Sequence, residues 1–203
     1  MKKKDKHVEI HYPFQTPIFI EILKGLAIKL RLENFVKKLH GESKFSKTAP
    51  LQSRRNLHED KKLKLLCLKI YDVLNLIAFD IYKYSKDYKL EITEMWSNIQ
   101  KPGVSFRKHC HYNNIFSGVF YTNEDEDFPP ITFCRPEETT LEPLVNKFNI
   151  LNQNTYFCKA KKDTLIIFPA WLQHYVECNE TAKTRFSISF NVMLRGKYYN
   201  TVL

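Results

Sequence analysis

Apolar side chains in the first half of the chain recur at helical spacing. Between residues 60 and 84 they return every three or four positions, which predicts a helix with one buried face. A second segment with this spacing covers residues 24–40 and precedes Gly41, a residue type that commonly ends helices. Upstream of both, a short β-branched and aromatic run predicts a strand over residues 14–22. Pro17 makes it an edge strand or a strand that begins at that residue.

The pattern changes after about residue 88, where apolar and polar residues alternate over short segments divided by turn-forming residues. Many short, closely spaced strands predict a β-sandwich, a jelly roll or a barrel. The predicted strands cover residues 90–99, 105–111, 115–122, 131–134, 156–159, 164–169, 174–178 and 185–194.

The order of these patterns predicts the domain organisation. We expect one domain over residues 12–203, in which a helical scaffold over 24–84 precedes a β-rich core over about 88–195. The polar segment 42–58 is expected to be a loop, and residues 1–11 are expected to be a disordered or fraying start.

Charge and cysteine content narrow the classes of protein. The formal net charge is +10, which solvated helix faces and a solvated tail explain better than nucleic-acid binding, although that alternative stays open. The five cysteines form no CxxC motif, and no segment resembles a signal peptide or a membrane span. We therefore expect a soluble, cytoplasmic protein with free thiols and no membrane partner. Nucleotide-binding glycine motifs and GxSxG are also absent from the sequence.

Three histidines are the candidate metal ligands. His109 and His111 stand two positions apart, so on one strand both rings face the same side. That pair alone is a weak signal, because two histidines on a solvated strand are common. His174 is the remaining histidine of the β region, and three ligands from two separated segments match a non-haem iron site that leaves positions open.

An alternating strand follows the third histidine. Arg185, Ser187 and Ser189 share one face of it, and apolar residues occupy the other face. Turned into a barrel, this polar face is costly unless it binds a ligand, and a dicarboxylate suits a guanidinium flanked by hydroxyls. A solvent-facing stripe on an outer strand is the alternative.

Four ordered blocks carry a resemblance to a known family. They are His109-x-His111, Ser117–Tyr121, Leu165–His174 and Arg185–Asn191. Over about residues 94–194 this order resembles the 2-oxoglutarate- and Fe(II)-dependent oxygenases of marine bacteria and their phages, which are distantly similar to prolyl hydroxylases. The resemblance implies a mainly β (α+β) fold, a double-stranded β-helix or cupin-type jelly roll, with helices packed on one sheet.

The resemblance also implies residue roles at the metal. His109 and His174 would be the first and the distal iron ligands. His111 stands where the wider superfamily has Asp or Glu, so the site is expected to hold three histidines. A water molecule or a loop carboxylate such as Asp125 or Glu126 is the alternative that would complete the ligand shell.

At the cosubstrate, Arg185 and Ser187 would bind the far carboxylate of 2-oxoglutarate. Tyr121 would touch that carboxylate or else be a core aromatic, and Asn98 would line the pocket. Four aromatic residues are candidates for the pocket walls, although core positions are the commoner role for such residues. They are Phe116, Phe120, Phe168 and Trp171.

The implied reaction is hydroxylation of an unknown substrate, with consumption of O2 and 2-oxoglutarate and release of succinate and CO2. A phage-encoded copy would act in the host cytoplasm. Peptides, nucleic acids, amino acids and small metabolites are all candidate substrates. A cupin-type metalloprotein without oxygenase activity is one alternative, and a structural or nucleic-acid-binding phage jelly roll is another.

Overall fold

A computed structural model describes residue 9 and residues 14–40, 50–137 and 143–198. Within these residues, ten strands and three α-helices alternate in the order β1 (Phe19–Ile22), α1 (Leu26–Lys29), α2 (Leu32–His40), β2 (Leu51–Gln52), α3 (Lys64–Asn75), β3 (Lys89–Gln100), β4 (Phe106–His109), β5 (Phe116–Tyr121), β6 (Ile131–Cys134), β7 (Thr155–Cys158), β8 (Thr164–Pro169), β9 (His174–Val176) and β10 (Arg185–Arg195).

The strands form two antiparallel sheets that enclose a cavity. The larger sheet has the order β1-β8-β5-β10-β3-β2, and the smaller sheet has the order β4-β9-β6-β7. Residues of both sheets line the cavity, as Tyr121 and Arg185 do from the larger sheet and Ile131 and Val176 from the smaller one. This is a double-stranded β-helix with helices on one sheet, and it confirms the expected fold. β1 also lies at a sheet edge, as Pro17 predicted.

The outer face of the larger sheet carries the helices. Leu66, Ile70 and Leu74 of α3 belong to one buried apolar cluster with Ile188 and Phe190 of β10. Their spacing of four residues gives α3 the single buried face that the periodicity predicted. The predicted helix is not uniform, because a 3₁₀ turn over Lys61–Leu63 precedes α3 and a π-helix over Leu76–Ile81 extends it.

The segment predicted as one helix over residues 24–40 is two helices. α1 stops after Lys29, and Arg31 adopts a positive φ of 50° before α2 begins. An L-residue rarely takes this conformation, so the break separates two helical turns that the periodicity had joined. Asp163 fixes the start of α1, because its carboxylate accepts hydrogen bonds of 2.8 Å from the Gly25 N–H and 2.7 Å from the Ala27 N–H.

Several predictions concern residues that the structure does not describe. The helix end at Gly41, most of the fraying segment 1–11 and residues 42–49 of the loop 42–58 are not described. The described end of that loop contains β2, which pairs with β3. In the part of the chain that the structure describes, no helix has the length and apolar character needed to cross a lipid bilayer.

Candidate metal and cosubstrate site

Three imidazoles line the cavity and lie close to one another. His109 is the last residue of β4 and His174 the first of β9, and the two residues are direct partners across these antiparallel strands. Their ring centroids lie 4.4 Å apart, and the His111 ring lies 5.1 Å from His109 and 5.2 Å from His174. One nitrogen of each ring lies within 4.8 Å of the others, which is close enough for a single ion to bind all three.

Backbone carbonyls orient two of the rings. The Nδ1 atom of His174 lies 2.9 Å from the Leu172 carbonyl oxygen, and that of His109 lies 2.7 Å from the Arg107 carbonyl oxygen. A carbonyl oxygen only accepts hydrogen bonds, so Nδ1 is the protonated nitrogen in both rings. The lone pair on Nε2 is therefore free to bind a metal, an arrangement that hydrogen-bonded metal-ligating histidines commonly show.

His111 reaches the cluster from outside a strand. The sequence predicted that His109 and His111 share one strand face, but β4 ends at His109. The N–H of His111 donates to the Ala170 carbonyl oxygen at 2.8 Å, and the chain then turns through Asn113, which has a φ of 60°. A backbone hydrogen bond to Ala170, rather than strand alternation, thus places the third ring.

Burial keeps two of these rings neutral. Burial, and then the charge of His109, lowers the pKa of His174 to about 3. The same two causes, followed by the charge of Arg55, lower the pKa of His111 to about 4. A neutral imidazole is the form that binds a metal ion, so both rings are in the ligating state at neutral pH.

A buried guanidinium lies in the same cavity wall. Arg185 is 3% exposed, and it donates to the Gln100 side-chain oxygen at 2.9 Å and to the Tyr121 hydroxyl at 3.0 Å. Its Nε is one of two buried side-chain nitrogens or oxygens without a hydrogen-bond partner in the described part of the chain. An unpartnered buried charged group is costly, which points to an acceptor supplied by a ligand.

Tyr121 and Gln100 hold the guanidinium in place. Tyr121 is fully buried, and its hydroxyl accepts from Arg185, so its own proton remains available to another acceptor. Gln100 donates to the carbonyl oxygens of Val104 and Glu177, both at 2.8 Å, which turns its amide oxygen toward Arg185. Sequence reasoning missed Gln100, although it lies opposite Arg185 in the pairing of β3 with β10.

Comparison with known proteins identifies this arrangement. Residues 94–191 match a family model described as "Putative 2OG-Fe(II) oxygenase". These residues contain the three histidines, Arg185, Tyr121 and Gln100. This part of the chain belongs to the 2OG-Fe(II) oxygenase family. No curated protein matches the sequence.

Solved structures share the fold of this oxygenase. The epimerase SnoN from nogalamycin biosynthesis is 11% identical, with 88% of this chain and 76% of SnoN covered and a TM-score of 0.64. A prolyl-4-hydroxylase from Pseudomonas putida is 13% identical, with coverages of 89% and 94% and a TM-score of 0.62. HygX from Streptomyces hygroscopicus, solved with nickel and 2-oxoglutarate, is 8% identical, with coverages of 88% and 83% and a TM-score of 0.60.

The cavity of the oxygenase fits the metal and the cosubstrate that name its family. Three imidazole nitrogens that could bind one ion and an unpartnered guanidinium nitrogen belong to its wall. The cavity volume is about 50 Å³.

The remaining predicted site residues fall on both sides of the larger sheet. Ser187 and Asn98 line the cavity of the oxygenase, and the Asn98 side chain contacts Gln52, Trp96 and Ser189. Of the four aromatic wall candidates, Phe168 alone lines the cavity. Phe116 and Phe120 lie in the cluster under the helices, and Trp171 is 54% exposed.

The two loop carboxylates do not join the imidazoles. The Asp125 carboxylate accepts from Lys183 at 2.5 Å, and neither Asp125 nor Glu126 lines the cavity. Within the described residues, the group of possible metal ligands at this place therefore consists of the three histidines.

Proposed function

We propose that this oxygenase hydroxylates its substrate, with Fe(II) held by His109, His111 and His174. The observation that carries the proposal is the approach of three imidazole nitrogens to within 4.8 Å in a cavity that also contains the buried Arg185. Iron and 2-oxoglutarate, when bound, supply the oxidising chemistry, in which O2 is consumed and succinate and CO2 are released.

The far carboxylate of 2-oxoglutarate is proposed to bind Arg185. The unpartnered Nε supplies a charge-assisted hydrogen bond, and the free proton of the Tyr121 hydroxyl can supply another. Ser187 lies two residues along the same face of β10 and adds a hydroxyl. Asn98 is proposed to act through Ser189 and Trp96, whose hydrogen bonds of 2.9 and 3.1 Å to its amide fix this part of the wall.

The apolar part of the wall limits water at the reacting centre. Val119, Ile131, Phe168 and Val176 line the same cavity as the imidazoles and the guanidinium. Charge-assisted hydrogen bonds are stronger in such a low-dielectric space, because water competes for them less. The protein thereby orients one diacid and keeps bulk solvent from the reaction.

A three-histidine site changes the charge at the metal. The superfamily pattern has a carboxylate where this chain has His111, so the ligands here are all neutral. Glu94 lies near His111 and acts on its pKa in the opposite direction to Arg55. We propose that its charge compensates the metal from outside the ligand set.

The proposed function is tested by turnover without any added substrate. Protein loaded with Fe(II) under air should convert 2-oxoglutarate slowly into succinate, and replacement of Fe(II) by Zn(II) should stop it. Hydroxylation is tested with dioxygen of the heavy isotope, which should place one labelled atom in the product. Tight iron binding without any succinate would favour a metalloprotein that is not an oxygenase.

A further inference from the structure

A polar recess opens beside the three histidines. Its volume is about 370 Å³, which is within the usual range for small-molecule sites. Its wall includes His109 and His111, so a ligand in the recess lies next to the metal ligands. The other lining residues are almost all polar or amphipathic, and among them Arg55 and Glu94 carry charge.

Arg55 and Glu94 form an ion pair in the wall of this recess. The Arg55 Nη1 atom lies 3.1 Å from the Glu94 Oε2 atom. The Arg55 guanidinium also stacks over the Trp96 ring at 4.8 Å, and that ring lies 5.8 Å from the His111 ring. A positive and a negative charge are therefore adjacent, and the Trp96 ring connects the positive charge to the histidine cluster.

The backbone and neighbouring side chains fix both charges. The Arg55 carbonyl oxygen accepts from the Met95 N–H at 2.7 Å, which ties the segment to β3. Glu94 Oε2 accepts from the Asn191 side chain at 2.9 Å as well as from Arg55. Both of these bonds use Oε2, so the other carboxylate oxygen and most of the guanidinium donors remain for a ligand.

Folding stability does not account for this pair. The Arg55 side chain is 53% exposed and that of Glu94 36% exposed. Ion pairs with such exposure contribute little to stability, because solvent screens them and ordering two long side chains costs entropy. Their charges are instead accessible to a ligand that enters the recess.

We propose that the recess binds a free α-amino acid as the substrate, an inference that rests on the proposed function. The charges of Arg55 and Glu94 are adjacent, so a ligand that pairs with both must carry opposite charges equally close together. An α-amino acid does so, because its ammonium and carboxylate groups are attached to one carbon atom. Its carboxylate pairs with Arg55 and its ammonium with Glu94, which leaves its side chain to extend past His109 and His111.

Other substrate classes match the recess less well. A nucleic acid carries only negative charge along its backbone and would meet the Glu94 carboxylate. An internal peptide segment has neither a free ammonium nor a free carboxylate group. An apolar substrate would displace water from the charged pair without replacing its hydrogen bonds.

The first test needs no variant. Each of the twenty proteinogenic L-amino acids is titrated into the metal-free protein by calorimetry and is added singly to the Fe(II)-loaded protein with 2-oxoglutarate. At least one should bind and should raise succinate formation above the basal rate. The N-acetyl form and the carboxamide of that amino acid should each bind about tenfold more weakly or worse, because each lacks one charged hydrogen bond.

Two variants test whether Arg55 binds the carboxylate of the amino acid and Glu94 its ammonium group. Arg55→Gln should abolish the discrimination between the amino acid and its carboxamide, and Glu94→Gln should abolish that between the amino acid and its N-acetyl form. Arg54→Gln and Glu91→Gln are matched controls, because Arg54 pairs with Asp60 and Glu91 with Arg195. Neither control should change the binding of any of the three ligands.

The outcomes separate this inference from the proposed function. Basal succinate formation without binding or stimulation by any amino acid would overturn the inference and leave the oxygenase intact. Discrimination that persists in both variants, or stimulation only by blocked peptides or by nucleic acid, would also overturn it. If succinate never forms, the proposed function fails, and calorimetry on the metal-free protein still decides whether the recess binds amino acids.

Discussion

The two faces of the larger sheet have different compositions and different tasks. The helix-covered face is mostly apolar, and α3 and β10 both contribute to one continuous cluster. The cavity face carries buried polar groups, among them Arg185, Ser187 and Asn98. β10 contributes to both, because Phe186, Ile188 and Phe190 face the helices while the residues between them face the cavity. Alternate residues of this one strand thus contribute either to the apolar core or to the cavity.

This comparison has a physical basis. Burial of apolar side chains is the main favourable term in folding, and the helix-covered face supplies it. Buried polar groups are costly unless they are satisfied, and one nitrogen of Arg185 is not satisfied by the described residues. Changes on the helix face should therefore lower stability, and changes on the cavity face should remove ligand binding at smaller cost to the fold.

The largest effect is expected from His174→Ala. His174 is 5% exposed, and its Nδ1 hydrogen bond leaves Nε2 for the metal. Iron affinity should fall by more than the roughly 10- to 100-fold seen when only a hydrogen-bond partner of a ligand is removed. Competition titration with a chelator measures the affinity. His58→Ala is the control, because His58 lies outside the cavity wall, and an equal loss in both variants would contradict the assignment.

Arg185→Gln should raise the KM for 2-oxoglutarate by roughly 100-fold, since removal of one partner of a buried charged contact costs about 2–5 kcal/mol. The sharper measurement compares 2-oxoglutarate with 2-oxobutanoate, which lacks the far carboxylate. Wild-type protein should prefer 2-oxoglutarate strongly, and the variant should not. Arg195→Gln, on the same strand but exposed and paired with Glu91, should retain the preference. A variant that still discriminates would place the carboxylate elsewhere.

Leu66→Ala tests the helix-covered face. Leu66 is fully buried in α3, so the truncation should lower the free energy of unfolding by about 2–5 kcal/mol. Leu68→Ala, two positions along the same helix at 51% exposure, should change it by less than about 0.5 kcal/mol. Denaturant unfolding measures both. Iron affinity of the folded Leu66→Ala protein should stay at the wild-type level, and a large loss would show that the two faces are coupled.

The pH dependence of the metal-free protein tests the burial of the two low-pKa rings. The pKa of His174 is lowered to about 3 and that of His111 to about 4, mainly by burial, whereas histidine in an unfolded chain titrates near 6.5. The unfolded chain therefore binds more protons below about pH 6.5. Stability is lost as the pH falls from there toward about 4, and each ring contributes up to about 1.4 kcal/mol per pH unit.

Denaturant unfolding of the metal-free protein at several pH values in this window measures the slope. His174→Gln should reduce it, because one of the two low-pKa rings is then absent. A free energy of unfolding that does not change with pH, in the wild-type protein, would show that these rings are not buried in the neutral form.

Local pattern predicted much of the fold. The alternation over β3 and β10 and the periodicity of α3 were enough to separate strands from helices, since each reports the exposure of its own residues. The break at Arg31 was not predictable, because a positive φ at arginine does not alter the spacing of apolar residues along the sequence. The strand expected through His111 ends earlier, because a hydrogen bond to Ala170, 59 positions away in the chain, sets that position.

The candidate site was also predicted only in part. Residue type and order pointed to the histidines and to Arg185, because few side chains bind iron or a diacid. Gln100 was missed, because its role depends on strand register, on contacts with Val104 and Glu177 and on its position opposite Arg185. The recess was missed for a similar reason, since Arg55 lies in a segment predicted only as a polar loop and reaches Trp96 through tertiary packing.

The most direct measurement is an anaerobic titration of the protein with Fe(II) and then with 2-oxoglutarate. The account predicts a metal-to-ligand charge-transfer absorption band that saturates with stoichiometric amounts of both. The band should be absent from His174→Ala, and in Arg185→Gln it should require much more 2-oxoglutarate. Iron binding without the band, or an unchanged band in His174→Ala, would contradict the claim that the three imidazoles and the guanidinium form one site.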